Sequence, residues 1–131
     1  MKRLAIAVLL AAGVYAQDQA RILSEFVEFL KIPNTANDPA GLRRNAEWLR
    51  AAFARRGVEG RLLEVPGAAP AFYGELKTAG AKQTVLFYAH YDGQPVDPKR
   101  WQGSAPFEPS LRGGKAEDPE ARVYARSASD D

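Results

Sequence analysis

The sequence predicts an α/β fold in which a mixed sheet is flanked by helices. Two segments whose apolar residues recur with a helical period come first, and three short strand-like runs follow them. The last of these runs, Thr84 to Ala89, is apolar on both faces, which is typical of a central strand that helices cover on each side of a sheet. Together, these patterns indicate one sheet with helices packed against it.

The first sixteen residues have the layout of a secretory signal peptide. Lys2 and Arg3 form a basic start, an apolar run extends to Ala12, and the small-residue pattern that ends at Ala16 precedes the polar Gln17. Cleavage after Ala16 would leave residues 17–131 as the mature segment and would place it outside the cell or in a periplasm. The alternative is a membrane anchor, but a spanning helix needs about 20 apolar residues.

Two amphipathic helices are expected after the signal. The first covers Asp18 to Lys31, and the Ile-Pro-Asn sequence that begins at Ile32 ends it. The second has Asp38 as its N-cap and Pro39 in its first turn, and it stops at Gly57. One face of this second helix carries the apolar residues Leu42, Ala46, Leu49 and Phe53, and the other face carries arginines.

The strand-like runs are Arg61 to Val65, Phe72 to Lys77 and Thr84 to Ala89, with a further short run from Val123 to Ala125. The polar stretch from Asp92 to Arg122 is rich in proline and glycine. It is long for an ordinary connection, so we expect a functional loop region there.

The composition limits the classes of partner and the residue types that could bind a metal. The net charge of +2 is due to Lys2 and Arg3, and the mature segment carries equal numbers of basic and acidic residues. This balance argues against a nucleic-acid partner or a membrane-surface role after signal cleavage. The chain has no cysteine, so any transition metal must be held by His, Asp or Glu.

His90 and Asp92 are the first candidate site residues. His90 follows the apolar run directly, at the carboxyl end of a predicted strand, where open α/β sheets place their ligands. In extended backbone, residues i and i+2 project to the same side, so the imidazole and the carboxylate can be neighbours. A carboxylate beside a metal-ligating histidine orients the ring. By itself, the His-x-Asp pattern is weak evidence, because a lone histidine at a strand end is more often structural than catalytic.

Asp130 is the second candidate, in the run Ser127-Ala128-Ser129-Asp130-Asp131 after the strand-like Val123 to Ala125. One carboxylate can bridge two zinc ions about 3.5 to 4 Å apart. A solvated acidic segment is the alternative interpretation of these five residues.

The longer string resembles a known family. It consists of the strand ending in His90-Tyr91-Asp92, the Pro95-Val96 loop, Trp101, the segment Pro106-Phe107-Glu108-Pro109, and the turn through Arg126 into Asp130-Asp131. This pattern is similar to that of the dinuclear zinc hydrolases that include carnosinase-like dipeptidases, glutamate carboxypeptidases and acetylornithine or succinyl-diaminopimelate deacylases. The resemblance extends over residues 18–131, and its specific part begins at Val85.

The resemblance implies a role for each candidate. His90 would be a terminal ligand of one zinc ion, Asp130 would bridge both ions, and Asp92 would be the residue that orients His90. Ala125 and Ser127 depart from the pattern, because the family commonly has glycines on both sides of the arginine. The segment Lys115 to Arg122 is also longer than the usual link to the last strand.

The resemblance further implies that the chain is the N-terminal part of a longer catalytic domain. The Glu pair that supplies the general base, a further acidic ligand and a C-terminal histidine would all follow Asp131. A lid-like second domain, through which such enzymes commonly form homodimers, would follow as well. The 131-residue chain alone is therefore expected to bind zinc weakly and to be inactive.

The expected reaction is zinc-dependent hydrolysis of an amide bond, in a dipeptide or at the C-terminal residue of a peptide. The Pro-Val-Asp-Pro-x-x-Trp segment resembles the dipeptidase and carboxypeptidase branch. Deacylation of N-acyl amino acids remains open as an alternative. The other alternative is a non-catalytic exported domain in which the acidic residues only solvate a polar surface.

Overall fold

The computed structural model of the protein describes residues 18–116 and 118–129. These residues form two compact units, one made of residues 32–97 and the other of residues 18–31 with the described residues after 97. The fold is α/β, with two helices and two separate two-stranded antiparallel sheets. The predicted signal peptide lies outside the described residues. No helix in the described part of the chain is both long enough and apolar enough to span a membrane.

The first helix, α1, covers residues 18–30, in agreement with the predicted helix. The second helix, α2, is Pro39–Ala54, and both of its predicted start signals are confirmed. Asp38 caps it by accepting a hydrogen bond from the Gly41 backbone N–H at 2.9 Å, and proline occupies the first turn. The chain leaves the helix after Ala54 and passes Gly57 with a φ of 76°, a left-handed conformation that glycine adopts without steric cost.

The unit of residues 32–97 is built by packing α2 on a hairpin. Strands β1 (Glu59–Leu63) and β2 (Ala71–Glu75) pair antiparallel. Leu62 and Phe72 stand opposite each other in the register and are both half-buried. The Phe72 ring meets the ring of Phe53 on α2, with centroids 5.1 Å apart. The buried residues Leu42 and Ala46 on the predicted apolar face of α2 complete this small core.

The second unit contains a shorter hairpin. Strand β3 (Ser110–Arg112) pairs antiparallel with β4 (Arg122–Tyr124), and a short 3-10 helix (Pro98–Arg100) precedes them. The Arg112 guanidinium lies over the Tyr124 ring, 4.4 Å from its centroid. The predicted loop region is thus partly ordered as a hairpin. Strand β3 was not predicted, because three residues with a single apolar side chain are too few to establish an alternating pattern.

The strand predicted at Thr84 to Ala89 is not formed among the described residues. The side chains there are exposed, with Leu86 at 84% and Phe87 at 89%. No backbone hydrogen bond joins residues 84–89 to another described residue. A strand exists only by pairing with a neighbour, and β1 and β2 pair only with each other. The predicted single mixed sheet is therefore not present in this part of the chain. The apolar residues that predicted its central strand are exposed instead.

Candidate metal centre

The predicted pair, His90 and Asp92, is in contact. His90 Nδ1 lies 2.9 Å from the backbone carbonyl oxygen of Asp92 and 3.1 Å from its carboxylate oxygen Oδ1. Both neighbours are acceptors, so Nδ1 carries the proton and donates to them. In the neutral imidazole, Nε2 is then the unprotonated nitrogen, the atom that would coordinate a metal. The side chains are 56% and 50% exposed, so the pair lies at the surface of its unit.

Tyr91, the residue between them, anchors this segment. Its hydroxyl donates a hydrogen bond to the backbone carbonyl of Pro70, the buried residue just before β2. Burial raises the pKa of the Tyr91 hydroxyl, and the negative charge of Asp92 raises it further, while Arg43 on α2 acts in the opposite direction. The motif therefore has two exposed polar side chains on either side of a half-buried, hydrogen-bonded tyrosine.

Residues 34–36 lie alongside residues 91–93 in a short parallel pairing. The Gly93 N–H donates to the Asn34 carbonyl at 2.7 Å, and the Ala36 N–H donates to the Gly93 carbonyl at 3.0 Å. The bridge that these bonds define joins Thr35 and Gly93. The Asn34 side chain adds a third bond, from Nδ2 to the Tyr91 carbonyl at 3.0 Å. Asn34 thus contacts the backbone of the motif residue that separates the imidazole from the carboxylate.

A second buried asparagine ties this pairing to α2. Asn45 is only 1% exposed, and its Nδ2 donates to the carbonyls of Pro33 at 2.9 Å and Gly41 at 2.8 Å. The backbone at Gly41 approaches closely, since a Cβ at that position would collide with the Pro33 carbonyl and the Asp38 carboxylate. The start of α2 and the Pro33 segment therefore form one hydrogen-bonded frame.

Asn34 and Asn45 were not predicted as site residues. The sequence Ile32-Pro33-Asn34 was predicted only to end the first helix. The available signal was Asn45 itself, a polar residue directly beside Ala46 on the apolar face of an amphipathic helix, because a polar group in such a place needs a hydrogen-bond partner.

The second predicted ligand, Asp130, lies outside the described residues, as does Asp131. The turn that leads to them is described. Arg126 donates its N–H to the Pro106 carbonyl at 2.6 Å, and Ser127 has a φ of 61°. Ser127 stands where the resembled family commonly has glycine, and a left-handed φ is the conformation that favours glycine.

Metal ligands do not cluster in the part of the chain that the structure describes. No group of three or more His, Asp and Glu side chains there is arranged to hold a metal ion. His90 and Asp92 supply one candidate ligand and one orienting carboxylate, which is fewer than a zinc site requires.

Comparison of the chain with models of protein families, with curated proteins and with solved structures found no match.

Proposed function

We propose that this chain is the N-terminal part of the catalytic domain of a secreted or periplasmic dinuclear zinc hydrolase that cleaves an amide bond. The substrate would be a dipeptide or the C-terminal residue of a peptide. The observation that carries the proposal is the contact between His90 Nδ1 and Asp92 Oδ1 at 3.1 Å. It has the form that a ligating histidine needs, with one ring nitrogen held by a carboxylate and the other directed to a metal.

The residues of this chain would have separate tasks. His90 would bind a zinc ion through Nε2, Asp92 would keep the proton on Nδ1 and hold the ring plane, and Asp130 would bridge the two ions. When bound, zinc supplies Lewis-acid chemistry, since it makes water more acidic and polarises the carbonyl of the substrate. The general base that takes the proton would come from a Glu pair that follows Asp131, as the resemblance implies.

Two features of the described residues support a larger mixed sheet. Residues 84–89 are apolar and exposed, with Tyr88 at 90%, which is costly unless a further surface covers them. The Thr35 to Gly93 bridge is parallel, whereas β1 and β2 are antiparallel, so both senses of pairing occur in the same unit. In the complete domain, we propose that Thr84 to Ala89 is a central strand of the sheet that ends at the metal ligand His90.

The proposal is tested by zinc-dependent dipeptide hydrolysis. Residues 17–131 and a protein extended through the residues encoded after Asp131 are purified, freed of metal and assayed with and without added zinc. We expect activity only in the extended protein with zinc. Comparable activity in the short protein would contradict the downstream position of the base. Hydrolysis of N-acyl amino acids but not of dipeptides would favour the deacylase alternative, and inactivity of the extended protein on both substrates would favour a non-catalytic domain.

A further inference from the structure

The buried asparagine Asn34 contacts the candidate metal motif without belonging to it. It is 8% exposed, and it bonds the motif segment at two points. Its side-chain amide donates to the Tyr91 carbonyl, and its backbone carbonyl accepts from the Gly93 N–H. These two points lie on either side of Asp92 along the chain, so the backbone that carries the Asp92 carboxylate is held between them.

The residues next to Asn34 are hydrogen-bonded to α2 and to its N-cap. Asn45 holds the Pro33 carbonyl, and the Asp38 N–H donates to the Thr35 carbonyl at 2.9 Å. The residues on both sides of Asn34 are therefore tied to the helix or its cap. A buried side chain with fixed neighbours has little rotational freedom, so its hydrogen bond sets the position of the Tyr91 peptide group.

That peptide group joins Tyr91 to Asp92, the residue whose acceptors contact His90. The imidazole Nδ1 donates to two acceptors of Asp92, its backbone carbonyl and its carboxylate. Both acceptors move with the backbone of residues 91–93. If this backbone shifts, the ring loses the pair of acceptors that keeps the proton on Nδ1, and the other neutral tautomer becomes populated.

On the basis of the function proposed above, we propose that Asn34 is the positioning residue of the metal motif, acting through the Tyr91 peptide group to fix the Nδ1-protonated tautomer of His90. The remote amide thereby keeps Nε2 as the nitrogen that can bind a metal. The Tyr91 side chain also helps to fix this segment, because its hydroxyl donates a hydrogen bond to the Pro70 carbonyl.

The chain allows a direct test, because His90 is its only histidine. The full 131-residue chain is produced with ¹⁵N-labelled histidine, and its tautomer is read from the two ring-nitrogen shifts at a pH where the ring is neutral. The variants are Asn34→Ala and, as a matched control, Asn37→Ala, which removes an exposed asparagine from the same loop. We expect the Nδ1-protonated form to dominate in the wild type and in the control, and both tautomers to be populated in Asn34→Ala.

A purely structural role for Asn34 predicts a different result. The free energy of unfolding would fall in Asn34→Ala, but the folded chain would keep the wild-type tautomer, and this outcome would overturn the proposal. Should Asn34→Ala not fold, Asn34→Asp serves instead, because it keeps the shape and the backbone carbonyl while replacing the amide donor with an acceptor. The wild-type tautomer in that variant would likewise contradict the positioning role.

The readout does not depend on zinc or on hydrolysis. A change of tautomer together with no zinc binding by the extended protein would leave the positioning role standing and remove the proposed function. Zinc-dependent activity with an unchanged tautomer in Asn34→Ala would leave the proposed function standing and remove the positioning role.

Discussion

The frame between α2 and the candidate site predicts a specific effect of Asn45→Ala. Asn45 is 1% exposed, and its amide bonds the carbonyls of Pro33 and Gly41. The Gly41 carbonyl lies inside the helix, so the main loss is the bond to Pro33. Leaving the Pro33 carbonyl without its hydrogen-bond donor costs about 1 to 3 kcal/mol of stability. The higher helix propensity of alanine offsets about 0.5 kcal/mol of this cost. The expected decrease in the free energy of unfolding is therefore roughly 0.5 to 2.5 kcal/mol.

Urea denaturation measures this decrease. Trp48 lies on α2, and a Trp101→Phe background makes it the only tryptophan, so its fluorescence follows the unit of residues 32–97. The control Asn37→Ala, at an exposed position, should change stability by no more than about 0.5 kcal/mol. Equal stabilities of Asn45→Ala and the control would refute the assignment of Asn45 as the link between the helix and the Pro33 segment.

The stability of a charged variant at the same position should depend on pH. Asn45→Asp places a carboxylate beside two carbonyl oxygens, which disfavours the ionised form and raises the pKa of that new carboxyl in the folded state. A raised folded pKa means that stability is retained at low pH and lost as the pH rises. The deficit of Asn45→Asp relative to the wild type should therefore grow from acidic to neutral pH. A constant deficit would contradict this burial argument.

Three further predictions follow from single features. N-terminal sequencing of the exported protein should find Gln17 first, and an intact N-terminus would instead indicate an uncleaved anchor. Tyr91→Phe should lower the free energy of unfolding by about 1 kcal/mol, because it removes the hydrogen bond to Pro70. The pKa of the Tyr91 hydroxyl is raised in the folded state, so the stability that this hydroxyl contributes is lost as the pH rises above about 10, and the difference from the wild type should shrink there. A pH-independent difference in urea denaturation would count against this prediction. Gly60→Ala should destabilise the hairpin, since a Cβ there meets the Phe72 ring, and Phe72→Leu should relieve part of that loss in a double-mutant cycle, whereas strict additivity would refute the clash.

Local signals in the sequence predicted the helices well. The cap at Asp38 and the proline after it determine where α2 begins, because both act on the first turn of the helix itself. The hairpin strands were predicted two residues late for β1 and one or two residues late at the ends of β2. For β1, Gly60 looks like a turn residue in the sequence, although it lies inside the strand. In the structure, Gly60 and Gly74 are paired within the hairpin, next to the Phe72 ring.

The sheet could not be predicted in the same way. The apolar run Thr84 to Ala89 shows that these residues suit a buried strand, but periodicity does not identify the partner strand. The His90 to Asp92 contact was predictable because residues two apart in extended backbone face the same side. The contribution of Asn34 was not, since it bonds to a residue that is 57 positions away along the chain.

The most direct test of the central claim is the zinc content of the extended protein when His90 or Asp92 is changed. Elemental analysis after purification should give about two zinc ions per chain for the wild type and for the exposed control Glu59→Gln. His90→Ala should lose zinc and nearly all activity, while Asp92→Asn should retain zinc and lose activity by about 10- to 100-fold through poorer orientation of the ring. Full zinc occupancy in His90→Ala would contradict the assignment of His90 as a ligand, and with it the proposed metal centre.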